Sequence, residues 1–147
     1  MADRRLLLAA ASFAAASLAI GPAVAQRDSR AATFFPFWRE FRAAVLAGDM
    51  AAVTRMSRLP LESRGELDDE PVLRLNAAAL PAAFRRLLRT VEDVERNRTV
   101  LEVIRDTPEP VLDSRNYAPD QVRISSLDFL RGRGGWRLVT IYRGPEE

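Results

Sequence analysis

"DQVRISSLDFLRGRGGWRLVTIYR", Asp120 to Arg143, is where the chain commits to β structure. Two runs rich in β-branched and aromatic residues flank "RGRGG", a glycine-rich turn of the kind that closes an antiparallel hairpin. In the second arm Trp136, Leu138, Thr140 and Tyr142 alternate with Arg137, Val139, Ile141 and Arg143, so the period of two assigns one face to each set. In the first arm Val122 and Ile124 alternate, then apolarity passes to Leu127 and Phe129. That change of phase predicts a bulge at Ser125 or Ser126, which would curl the sheet.

Upstream, "TPEPVLDSRNYAPD" carries Pro108, Pro110 and Pro119 and reads as loop or sheet edge. Residues 99–106 admit both readings. Val100, Val103 and Ile104 fit one helical face, although the β-branched content also suits a strand, and helix is preferred. Leu80, Phe84, Leu87, Leu88 and Val91 hold helical spacing and predict a helix over 80–95, with Asn76 as its cap. "VLRLN" (72–76) and "LPLES" (59–63) read as short extended pieces. The acidic run Asp68-Asp69-Glu70 in the loop between them lacks the convergent spacing of a calcium loop, so no metal is expected there.

The stretch 33–61, "TFFPFWREFRAAVLAGDMAAVTRMSRLPL", supplies the helices. Phe34, Trp38, Phe41 and Val45 form a stripe widened by Phe37, Ala44 and Leu46, which predicts an amphipathic helix with an aromatic face and Pro36 in its first turn. Gly48 can adopt the left-handed conformation that closes a helix, and Asp49 can accept from the free N–H groups that open the next one. A short second helix follows, with Met50, Val53 and Met56 on one side and Pro60 to end it. The residues thus predict an α+β domain.

The first 25 residues have a basic start at Arg4 and Arg5, an apolar run from Leu6 to Ile20 and the ending Ala23-Val24-Ala25. That is the pattern of a cleaved signal peptide, its apolar run too short for a membrane span. The expected organisation is a signal over 1–25, a flexible leader over 26–33 and a single domain over 34–145. The expected destination is the periplasm or the exterior by the general secretory route, with twin-arginine export permitted, and no stable membrane insertion after cleavage. All 22 basic residues are arginine and are interleaved with 20 acids, for a net charge of +2. No basic stripe of the kind that nucleic acid requires is present in the sequence. Cysteine and histidine are both absent. That excludes disulfides, thiol nucleophiles, serine–histidine triads and histidine-ligated metals, and no cofactor is expected.

An aromatic helix, a "GD" corner, a short helix running into "LPL", a third helix and a terminal "F-x-R-x-x-G-G-W-R-L" hairpin together resemble small secreted proteins of the nuclear transport factor 2-like superfamily. Phe34, Trp38, Phe41, Val45, Gly48, Asp49, Val53, Pro60, Phe84, Phe129, Gly135, Trp136 and Tyr142 carry the likeness. The resemblance implies N-terminal helices packed into a strongly curved antiparallel sheet, a cone-shaped roll. It also implies either non-catalytic binding or a cone enzyme, an isomerase, hydrolase or cyclase that sets an aspartate, often with a tyrosine or histidine, inside the cone.

Two sets of residues are candidates for a site. As enzyme, the chain offers Asp128 as a carboxylate base inside an apolar strand, with Tyr142 as a donor. The competing reading pairs Asp128 with Arg137 across the hairpin. As binding module, it offers Trp38, Phe41, Trp136 and Tyr142 to line a pocket for an apolar small molecule, or an open sheet face for an envelope protein or a homodimer. Binding without chemistry is the preferred expectation.

Overall fold

The aromatic stripe read from the sequence forms the spine of helix α1 (Pro22–Leu46). The computed structural model describes residues 22–65, 67, 69–112 and 117–144, with side chains from Ser29 onward. Most of the expected signal peptide, residues 1–21, lies outside the described residues. Residues 26–33, read as a flexible leader, instead continue α1. Arg30 in that stretch is buried, and its guanidinium donates to the carbonyls of Pro119 and Ala118, which ties the helix to the loop before the terminal strands. Pro36 therefore falls inside the helix and not in its first turn.

The corner at 48–49 follows the expected chemistry. Gly48 has φ 69, its N–H donates to the Val45 carbonyl and that of Asp49 to the Ala44 carbonyl, the paired bonds of a Schellman ending. Asp49 then accepts from the Ala52 N–H at 2.9 Å and opens α2 (Met50–Arg55). Strand β1 (Ser57–Arg64) follows directly, then β2 (Leu73–Leu75) and helix α3 (Leu80–Leu87). Asn76 accepts from Ala78 and Ala79 in the turn before α3 rather than capping it, since Ala79 is the cap residue.

Helix α3 stops well before residue 95. Val91–Asp93 (β3) instead pairs with Arg98–Thr99 (β4) in a small hairpin. Residues 100–105 are helix α4 (Val100–Arg105), as preferred. Thr99 and Glu102 cap it reciprocally, the Thr99 Oγ1 accepting from the Glu102 N–H and the Glu102 carboxylate from the Thr99 N–H.

The main sheet comprises β1 and β2 with β5 (Gln121–Ile124), β6 (Leu127–Gly132) and β7 (Gly135–Tyr142), in the order β2-β1-β7-β6-β5. β1 runs parallel to β7, whereas the other neighbours are antiparallel. The sheet is therefore curved but mixed, which corrects the all-antiparallel expectation. Since β1 and β7 lie far apart in sequence, no hairpin turn constrains them to run antiparallel.

The phase change at Ser125–Ser126 has a different cause from the bulge expected there, and a bulge lies in β7 instead. Ser125 and Ser126 form no bulge. They are a two-residue turn that pairs Ile124 with Leu127, and Ser125 has the positive φ (54) such tight hairpins need. The irregularity lies in β7. Asp128 pairs with Thr140 but Phe129 with Leu138, leaving Val139 as the extra residue. Beyond it the parity flips, so the core takes Trp136, Leu138 and Ile141 while Thr140 and Tyr142 face the other way.

The helices pack on the inner face of this sheet. Phe34, Trp38, Phe41, Phe84 and Phe129 are all 0 % exposed. Ring centroids of Phe41 and Phe129 stand 5.1 Å apart, and those of Phe34 and Trp136 stand 5.0 Å apart, both edge to face. Among the described residues no helix is long and apolar enough to cross a membrane.

Candidate functional site

The turn at Ser125–Ser126 sets Arg123 directly opposite Asp128 on the outer face of the sheet. Arg123 reaches across with Nε to Oδ1 at 2.7 Å and Nη2 to Oδ2 at 2.8 Å, a bidentate grip. The Tyr142 hydroxyl donates to the same Oδ2 at 3.0 Å, and Arg123 Nη2 also donates to the Tyr142 oxygen. The carboxylate is thus held by three donors and is only 7 % exposed, whereas the Arg123 side chain is 35 % exposed. The guanidinium carbon lies 4.3 Å from the Tyr142 ring centroid and 5.6 Å from that of Tyr117, so the cation rests against two π faces.

The electrostatics follow from these contacts. The hydrogen bond to Asp128, then its charge, pushes Arg123 up, beyond any titration. Burial, then the Asp128 charge, raises the Tyr142 hydroxyl above the ordinary phenol range, so the group stays a donor. A base must offer a lone pair to the proton it removes. Here Oδ1 accepts from Arg123 and Oδ2 from both Arg123 and Tyr142, so three of the four lone-pair sites are taken.

The register extends this cluster into a row across all five strands. Arg74 on β2 stands beside Glu62 on β1, Glu62 beside Thr140 on β7, Thr140 beside Asp128 on β6, and Asp128 beside Arg123 on β5. Arg64, paired with Glu62 at 2.8 Å, neighbours Tyr142 in the adjoining row.

The residues singled out from the sequence therefore separate into two places. Asp128 and Tyr142 are brought together, but on the outer face and with Arg123 as the cation. Arg137, the partner first considered, donates instead to the Trp136 carbonyl. Trp38, Phe41 and Trp136 lie on the inner face, away from Tyr142, with Trp38 stacked on Phe41 and Trp136 edge to face with Phe34. The Trp38 indole N–H donates to the Thr107 carbonyl at 2.9 Å and that of Trp136 to Thr33 Oγ1 at 3.1 Å, so both indoles are satisfied within the fold. In the acidic run, Asp68 lies outside the described residues and Glu70 pairs with Arg143.

Arg123 is not marked by the sequence pattern, because Ser125–Ser126 fits a bulge as well as a turn. Read as a two-residue loop, the same letters place 123 opposite 128. The chain matches no protein-family model, no curated protein and no solved structure at a significant level.

Proposed function

We propose that this chain is a non-catalytic binding module of the space beyond the inner membrane, built on the cone-shaped roll of the nuclear transport factor 2-like superfamily. The observation that carries the reading is the engagement of both Asp128 oxygens by Arg123 and Tyr142. Those contacts stabilise the charged carboxylate and occupy three of its four lone-pair sites, so a proton taken up by Asp128 would weaken its charge-assisted bonds to Arg123. The self-packed aromatic interior points the same way, because Trp38 and Phe41 already fill each other's surroundings. Between the two binding readings, apolar small molecule and envelope partner, this packing favours the partner.

The enzyme reading has one observation in its favour, the Tyr142–Asp128 hydrogen bond, although the pair stands on the outer face of the sheet and not inside a cone. A metabolite panel screened by thermal shift, with every hit assayed for conversion by the parent and by Asp128→Asn, separates the two. The expected outcome is that no hit is converted. Turnover that disappears with Asp128→Asn would establish the enzyme.

Export belongs to the same proposal, motivated by the basic start, apolar run and Ala23-Val24-Ala25 ending. The intact mass of protein from the extracytoplasmic fraction should be that of a chain beginning at Gln26. Full-length chain held in the membrane fraction would contradict it.

A further inference from the structure

We infer that the outer face of the sheet docks an acidic segment of a partner protein. The inference deepens the binding reading by naming the partner's chemistry. Arg58, Arg64, Arg74, Arg123 and Arg137 stand on or beside this face, against Glu62 and Asp128 as its acids. Each acid already holds a cation, Glu62 that of Arg64 and Asp128 that of Arg123. Among the described residues no carboxylate lies within ion-pair distance of Arg58, Arg74 or Arg137. The face therefore presents a surplus of positive charge, and complementary charge is what steers and orients a partner.

Arg123 is built for such a contact. Its Nε and Nη2 are fixed on Asp128 and its plane rests between Tyr117 and Tyr142, so Nη1 is held in place without a partner of its own among the described residues. A guanidinium immobilised beforehand loses little freedom on binding. Arginine and tyrosine are also the side chains that most often anchor protein interfaces. A second copy of the chain would set arginine against arginine. A lipid surface would need several apolar anchors, and among the described residues this face offers half-buried Leu130 and, at its β2 edge, exposed Val72.

The test uses the full chain and a fluorescein-labelled synthetic peptide of alternating glutamate and serine. Two variants each lose three exposed arginines. Arg58→Ser/Arg64→Ser/Arg74→Ser strips the outer face, and Arg39→Ser/Arg85→Ser/Arg86→Ser strips α1 and α3. The helix variant should bind the peptide as the parent does, and the sheet variant at least about tenfold more weakly. Amide shifts on titration should gather on β1, β5, β6 and β7, and affinity should fall with added salt. Equal loss in both variants would reduce the effect to net charge and overturn the inference. So would absence of peptide binding, or preference for phosphatidylglycerol vesicles over the peptide. None of these outcomes bears on turnover or on the Asp128 contacts, so the non-catalytic reading stands or falls separately.

Discussion

At the scale of single residues, Asp128, Arg123 and Tyr142 hold one another in place on the outer face of the sheet. Tyr142 is more firmly protonated in the folded chain than in the unfolded one, through burial first and the Asp128 charge second. The sign follows. The contribution is whole below about pH 10, where the unfolded phenol titrates, and is lost as pH rises through the higher folded value. Tyr142→Phe cannot ionise there, so its thermal midpoint should decline less steeply than the parent's above about pH 10. Identical slopes would mean that Tyr142 is solvated. The acid and the tyrosine were legible in the sequence as a pair, but their cation was not. A two-residue turn and a bulge look alike in a hydrophobic pattern, and only the pairing of Ile124 with Leu127 distinguishes them.

At the scale of elements, arginine side chains take over bonding that other chains give to disulfides or metals. Arg42 donates to the Ile104 carbonyl at 2.9 Å and to the Arg105 carbonyl, closing the C-terminal end of α4 against α1. Arg143 reaches the carbonyls of Ser63 and Pro71 and binds the β1–β2 loop to the last strand. Elements whose boundaries depend on such neighbours were the ones misread. Leu88 and Val91 continue the helical spacing of α3, yet β4 draws Val91 into a hairpin by pairing it with Thr99. The Gly48–Asp49 corner was read correctly because both its causes are local. The cap of α4 is local too. Thr99→Ala removes the acceptor of the Glu102 N–H and should cost about 1 kcal/mol in urea unfolding. A cost near zero would mean that packing of Val100 and Ile104 alone holds that helix.

At the scale of the whole molecule, a chain without cysteine or histidine has burial as its main source of stability, and the aromatic contact between α1 and β6 is its centre. Phe41 is fully buried between Phe84 and Phe129, so Phe41→Ala should cost about 3–5 kcal/mol, a large fraction of what a domain this size has. A denaturation midpoint near the parent's would remove α1 from the core. The α+β class was legible from periodicity, whereas the parallel pairing of β1 with β7 was not, because no local signal links strands so distant in sequence.

The central claim, that Asp128 holds the fold and performs no chemistry, is tested most directly by a double-mutant cycle of Asp128→Asn and Arg123→Gln in reversible unfolding. Asp128→Asn alone should lower stability by about 2 kcal/mol, since it leaves a partly buried guanidinium without its counter-ion. The double variant should then be more stable than the sum of the singles implies, by about 1–3 kcal/mol. An Asp128→Asn protein as stable as the parent or more so, with no coupling to Arg123, is the behaviour of a group kept for catalysis at the expense of stability, and would contradict the account.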